Sequence, residues 1–459
     1  MSILRSCFVA VTVAICSGCF GGSMPSDYPR AAEQAGAPAV ASAGAPGPTL
    51  AQDEATIEKE ARLGAITRIA VARSPTVLEA RARAQAAFAR VRPMTRLPDL
   101  ELKYELWGQP LNRPWALGEA AMHMFGLRQT FPAAGTLDAQ ARVAFEEAKV
   151  AFDVARAREL DVIADVRKAW AAYYAADRDK VTHVEHATRT KELVDLARVQ
   201  LQVAKTAQAD VLRLDLALTR VHTEIVTLDS QIAIQRARLN VAMGRAVDAP
   251  IGPPPELEPA DVVPRIEQVR ALVLARRPEL AAAMGAVRKS EAAVDAAKSA
   301  AKYPTVMAGV DYQLMPTAPM PHNFGVMIQL SLPWLSPKRS EDVKAAEAAV
   351  GADKAARESL ETQILLQVAE ALARWEGARK TLALVDDQLL PQATKTFDAT
   401  RASYAAGGGD SLSIVDGLRT LLQVRVERNR ALAQLDIAIT EVERAIGGPL
   451  TPATKEGKP

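Results

Sequence analysis

Cysteine, aromatic residues and continuous apolar runs are all scarce in this sequence. The three cysteines, Cys7, Cys16 and Cys19, all lie within the first nineteen of 459 positions. The rest of the chain therefore has no pair to bridge in an oxidising compartment. Aromatic residues make up 5% of the chain, too few for an aromatic-rich β fold. Past the N-terminal segment, no stretch supplies the roughly 20 consecutive apolar residues of a spanning helix, so any membrane crossing must use strands. An excess of one charge is absent too: 56 Lys and Arg face 54 Asp and Glu, which leaves no basic surplus for nucleic acid. No convergent nucleophile, base and orienting group points to an enzyme, and no cofactor is expected. His183, Glu185 and His186 are clustered, but not in the order of a zinc protease motif, and they read as helix surface.

Ala, Arg, Glu, Leu and Val crowd the sequence, which is the composition of long helices. The first residues, MSILRSCFVAVTVAICSGC, place Arg5 before an apolar stretch and small residues before Cys19, so residues 1–18 read as a signal peptide. Ser17-Gly18-Cys19 is similar to a bacterial lipobox, with Cys16 where that motif usually has Leu. Cys19 is the candidate lipidated residue, and a simple cleaved signal is the alternative. Residues 19–55, rich in Pro, Gly and Ala, read as a tether too poor in large apolar side chains to pack.

Two repeats follow, 56–245 and 265–448, joined by a Pro-rich connector at 246–264 and trailed by a tail at 449–459. Pro75 and Pro278 each open a helix. VIADVRKAWAAYYAADRDK (162–180) answers ILLQVAEALARWEGARKTL (364–382), and LNVAMGR answers ITEVERAIGG. Long helices are predicted from Thr136 to about Lys205 and from Ser340 to about Ala405, each about 100 Å long at 1.5 Å per residue. Apolar positions at three- and four-residue steps, Ile163, Val166, Trp170 and Tyr173, mark one packed face. Pro391 is expected to kink the second long helix. Each then turns, at KTAQAD (205–210) or AAGGGDS (405–411), and returns as a helix of roughly 35 residues.

Strands are predicted at about 99–107, 122–131, 305–314 and 323–332. In the first, Asp99, Glu101, Lys103 and Glu105 alternate with Leu100, Leu102, Tyr104 and Leu106. In the third, Asp311 and Gln313 fall on the polar side. The second is less regular, because Gln129 interrupts its apolar row. One apolar face against one charged face matches strands with lipid outside and a wet lumen inside, whereas any single strand also fits a half-buried soluble hairpin. Spanning barrels need at least eight strands, so a chain with four must oligomerise to close one.

These residues resemble the outer membrane efflux, or TolC-like, family over nearly all of 56–447. The resemblance rests on the two-repeat plan, the junctions FPAAG (131–135) and LPWLSPKR (332–339), LLPQA (389–393) and the turn SYAAGGGDSLSIVDG (403–417). It implies a mainly α fold with a small β part: a long antiparallel α-helical barrel segment plus four transmembrane β-strands per chain. It also implies a homotrimer closing a 12-stranded β-barrel in the outer membrane, docked on a periplasmic adaptor and an inner-membrane pump. In such channels acidic side chains ring the periplasmic tip. By position Asp416 matches one of them, while the companion position falls on Ser413. Asp210 is a further gate candidate, with an ordinary solvated position as the alternative. Asp410, also a candidate, follows three glycines and reads as a helix N-cap.

Met122, His123 and Met124 at the start of the second strand, and Met315, Met320 and His322 around the third loop, gather thioether and imidazole groups that suit Cu(I). Methionine as apolar filler is the alternative. The FPAAG junction is similar to that of the heavy-metal cation branch, so metal-ion efflux through a passive duct is the expected function. A drug or protein-secretion duct, or a periplasmic coiled-coil scaffold lipoprotein, would share many of these features.

Overall fold

The structure, a computed structural model, describes residues 21–36, 48–257, 266–316, 318–406 and 411–450. The signal segment, Cys19 and Asp410 lie outside the described residues. In chain order the elements are α1 (Tyr28–Gly36), α2 (Leu50–Lys59), α3 (Leu63–Arg73), α4 (Pro75–Met94), β1 (Glu101–Trp107), β2 (Met122–Phe131), α5 (Thr136–Gln202) and α6 (Gln208–Ala242). The second repeat supplies α7 (Ile266–Arg276), α8 (Pro278–Lys302), β3 (Val306–Leu314), β4 (His322–Leu330), α9 (Lys338–Leu384), α10 (Leu390–Ala405) and α11 (Ser411–Ile446). The fold is mainly helical with one four-stranded antiparallel sheet, in the order β1-β2-β3-β4. Residues cluster into two compact units, one from 1–37, 80–154 and 279–360, the other from 38–79, 155–278 and 361–459.

The long and short helices alternate. α5 runs for 67 residues without a break, and α6 and α11 return for 35 and 36. In the second repeat the long helix is interrupted as Pro391 requires. Residues Val385–Leu389 form a π segment between α9 and α10, and Pro391 sits in the first turn of α10. A proline has no N–H for the preceding turn, and widening that turn accommodates its ring.

In the unit that holds most of the long helices, two helix ends are built alike. Gly244 and Gly447, both with positive φ (66° and 90°), end the returning helices. A Cβ on Gly244 would lie 3.3 Å from Arg73 O, and one on Gly447 would lie 2.9 Å from Arg276 O. The pairs Arg73/Arg276, Pro75/Pro278 and Gly244/Gly447 are offset by the same number of positions. In each repeat, then, a glycine lets the end of one helix approach the backbone just before a proline-opened helix.

In the same unit Trp170 and Tyr173 are buried. Trp170 Nε1 donates to Ala61 O (2.6 Å), and the Tyr173 hydroxyl donates to Gly252 O (2.8 Å). Gly252 N and Ala61 N donate in turn to Ile57 O and Pro253 O. The connector and the segment before α3 thus satisfy each other's backbone, as a buried irregular segment must. Near the turns, Leu193, Val194, Val211, Leu214, Phe397, Tyr404, Ile414 and Leu418 form one apolar cluster.

The sheet-bearing unit includes residues that composition marked as unable to pack. Residues 21–36 are folded: Tyr28, Phe88 and Phe145 form an aromatic triangle with ring centroids 6.1–6.3 Å apart. Gly22 N donates to Thr95 O (2.8 Å), and the Ser23 hydroxyl donates to Asp138 Oδ1 (2.8 Å). One tyrosine suffices because its partners on α4 and α5 were already apolar. At the far end of β2, Gly135 (φ 78°) turns the FPAAG junction into α5.

Candidate functional site

The register assigns every strand residue to a face. Tyr104 pairs with Phe125, Phe125 with Tyr312, and Tyr312 with Phe324, giving one aromatic row across all four strands. The same face carries Leu102, Leu127, Val310, Val326, Ile328 and Leu330, all exposed, with Leu102 at 77% and Val326 at 69%. An apolar face this open, with aromatics gathered in a row, is what a lipid-facing band of a barrel strand presents. Gln129 lies on this face, as its sequence position required, opposite Ala308, and its amide donates to Pro98 O (2.8 Å).

Glu101, Lys103 and Glu105 share the opposite face with Arg128, Asp311 and Gln313. Asp99 precedes β1 and is exposed. Lys103 pairs with Glu105, and Arg128 Nη2 lies 3.8 Å from Asp311 Oδ1. Asp311 stands between Gly126 and Gly325, and a Cβ on Gly126 would collide with its carboxylate. The glycines are what let a carboxylate lie along a strand face. Arg128 was legible in the alternation of β2; its pairing with Asp311 required the register.

The six methionines and histidines singled out around the strand ends do not converge. His123 and His322 lie on the apolar face, where the Tyr104 and Tyr312 hydroxyls meet their Nδ1 atoms at 2.9 and 2.6 Å. His123 Nε2 donates to Leu117 O (2.9 Å), which ties the ring to the β1–β2 loop. Met122 and Met124 lie on the polar face. The Asn323 amide on that face approaches Met315 Sδ at 3.9 Å, and Met320 is exposed in the loop. Among the described residues, no group of His, Cys, Asp or Glu is placed to hold a metal ion.

At the helix turns Asp210 is a structural hub. Its carboxylate accepts from the Ser411 hydroxyl, from Thr206 Oγ1 (3.0 Å) and from Ala207 N (3.3 Å), and Arg213 lies 3.4 Å away. The Ser411 hydrogen bond is the main reason its carboxyl is held below the usual carboxylate range. One carboxylate thereby ties the first turn to the start of α11. Asp416, about one and a half turns into α11, is exposed. Along α5, His186 is half-buried, and burial, followed by the charges of His183 and Arg189, pushes its pKa down to about 4. A cavity of about 450 Å³ beside the π segment is lined by Thr182, Asp386, Leu390, Arg425, Arg428 and Asn429. Its arginines are paired, Arg425 with Glu185 (2.9 Å) and Arg428 with Asp386 (2.6 Å).

Residues 269–448, most of the second repeat, match the family model described as outer membrane efflux protein. No curated protein matches the chain significantly. Solved structures that match include CusC, in work on transmembrane channel formation, at TM-score 0.72 and 16% identity, covering 85% of this chain and 92% of that one. VceC, an outer membrane protein of Vibrio cholerae, matches at TM-score 0.70 and 16% identity, covering 85% and 97%. The outer-membrane channel OprN matches at TM-score 0.69 and 18% identity, covering 84% and 90%. The chain therefore has the fold of these outer-membrane channels, with the family signature carried by its second repeat.

Proposed function

We propose that this protein is the passive outer-membrane exit duct of a tripartite efflux pump, a homotrimer whose twelve strands close one barrel. The observation that carries the reading is the sheet. One face is apolar, exposed and banded with aromatics; the other is charged; and both edges, β1 and β4, lack a partner strand among the described residues. Unpaired edges in lipid are prohibitively costly, so copies of the chain must supply the missing pairs. A periplasmic adaptor and an inner-membrane pump would supply direction and energy, the duct itself having no catalytic task. Asp416, exposed near the turn, is the gate candidate we favour; Asp210 acts by bracing the turn.

The lipid anchor at Cys19 gains support from the fold of residues 21–36. Gly22 docks at Thr95, six residues before β1, and Ser23 docks at Asp138, seven residues after β2. The chain just after Cys19 is thus held beside the segments that enter and leave the sheet, where a membrane anchor would have to be. Mass spectrometry of the wild type and Cys19→Ser after palmitate labelling tests that point.

Heavy-metal cations remain our proposed cargo, in place of drugs or secreted protein. A deletion strain challenged with silver, copper, zinc, cobalt and common antibiotics should lose metal tolerance; unchanged metal tolerance sinks the cargo assignment. The duct itself is tested by fractionation and unheated gel electrophoresis, which should give heat-modifiable trimers in the outer membrane. Absence of both would leave a periplasmic scaffold as the better reading.

A further inference from the structure

The strand methionines sort to one face. Met122, Met124, Met307 and Met327 all lie on the polar face, in the rows of Trp107, of Glu105 and Gln313, of Thr130 and Gln329, and of Arg128. Met315, one residue past β3, continues that parity, and the Asn323 amide points at its sulfur (3.9 Å). The Gln313 amide likewise approaches Met124 Sδ (3.9 Å). The apolar face, with its Leu, Val, Ile, Phe and Tyr residues, carries none.

Methionine used as filler would serve equally on the apolar face, where flexible apolar side chains are tolerated. Here the polar face excludes Leu, Ile, Val and Phe and, apart from Trp107, admits methionine as its one large apolar side chain. What distinguishes methionine from the excluded residues is a soft, weakly ligating sulfur. Rows on one face of a strand are separated by about 6.8 Å. The thioethers therefore occur in every row but one, and in that row Asp311 stands between Gly126 and Gly325.

We propose that this face is a thioether track for soft monovalent cations, Cu(I) or Ag(I), lining the wet side of the barrel. The proposal rests on the channel reading above, because the track has a cargo only if this face is a lumen. Each row offers isolated sulfurs, with a carboxylate in the row of Met124 (Glu105) and in that of Met327 (Glu101), so binding is weak and repeated. That is the condition for passage, since a duct must let its cargo leave as readily as it enters. His123 and His322, on the apolar face, take no part.

The test uses the full-length trimer in detergent and in planar bilayers, with silver nitrate in sodium nitrate as the probe. The variant carries Met122→Leu, Met124→Leu, Met307→Leu, Met315→Leu and Met327→Leu, which keeps volume and apolarity and removes only sulfur. Met94→Leu with Met284→Leu, two exposed helix methionines, is the control. Expected results are a several-fold loss of bound Ag(I) and of sulfur scattering at the silver absorption edge in the strand variant alone. Sodium conductance should be unchanged, while micromolar silver should depress wild-type current and leave the variant unaffected. Equal silver binding and equal block in wild type and strand variant would overturn the track, and would show that these methionines act only as adaptable apolar surface. Should the five-fold variant fail to trimerise, the β2 pair and the β3–β4 set tested separately decide the question by the same binding readout. Absence of any sodium conductance in the wild type would sink the channel reading instead, with the silver-binding result still deciding whether the sulfurs ligate.

Discussion

Ser411→Ala should loosen the tip without unfolding the bundle. Ser411 is buried at the first turn of α11, and its hydroxyl donates to Asp210, whose carboxylate keeps Thr206 Oγ1, Ala207 N and Arg213 as other partners. A hydrogen bond to a charged group contributes about 1.5–3 kcal/mol, and the partial exposure of the Asp210 carboxylate argues for the lower end. A loss of about 1.5 kcal/mol is about tenfold in the ratio of docked to undocked turn. Hydrogen–deuterium exchange of residues 414–418 should therefore speed up about tenfold. Thr227→Ala, whose hydroxyl only back-bonds to Thr223 O within α6, should leave it unchanged. In the Asp210→Ala background the serine substitution should add little, the mark of a coupled pair. Because the Asp210 carboxyl is held below its ordinary range, the bond is fully present above pH about 4 and is lost only as pH falls through the lower value of the folded protein. The exchange contrast should then be flat from pH 5 to 8. Equal exchange in Ser411→Ala and wild type, or a contrast that fades between pH 5 and 8, would refute the hub.

Other expectations follow from single groups. His186 is neutral in the fold with a pKa near 4, whereas the unfolded chain binds a proton near the ordinary 6.5. Stability should therefore fall as pH drops from 6.5 towards 4, by up to about 3 kcal/mol, and His186→Leu should flatten that limb of a melting-temperature profile. Tyr28→Ala should cost about 3–4 kcal/mol at the aromatic triangle and expose residues 21–36 to protease, while Tyr28→Phe, which loses only the bond to Phe88 O, should cost about 1 kcal/mol. Gly447→Ala combines a positive φ with a Cβ 2.9 Å from Arg276 O and should lower stability by about 2 kcal/mol or more in denaturant titration. Gly118→Ala, which meets nothing within 4 Å, should be neutral.

Period and punctuation made most of the fold legible. Strand alternation placed Glu101, Lys103, Glu105, Asp311 and Gln313 on one face, because side chains of a strand have a period of two and no tertiary contact can change it. Pro391 announced an interruption of the second long helix, since a missing N–H has a local consequence; that it takes the form of a π segment was not legible. The packing of residues 21–36 is not legible in composition, because a sparse segment can dock through a single tyrosine when its apolar partners lie elsewhere in the chain. The histidines beside the strand methionines misled for the opposite reason. Adjacent strand residues look like a cluster in sequence, yet they point to opposite faces, and only the register separates His123 from Met122 and Met124. In the sequence Asp210 reads as a gate acid or as an ordinary solvated one. Its bond to Ser411, some two hundred positions away, was visible to neither reading, because a long-range partner leaves no local signal.

The central claim, that the apolar face of the sheet meets lipid and the charged face meets water, is tested most directly by a spin-label scan along β4 in reconstituted bilayers. Labels at Phe324, Val326, Ile328 and Leu330 should collide with oxygen dissolved in lipid, and labels at Asn323, Gly325, Met327 and Gln329 with a water-soluble nickel chelate, in strict alternation. Nickel access to both sets, or the loss of alternation, would contradict the barrel and with it the duct.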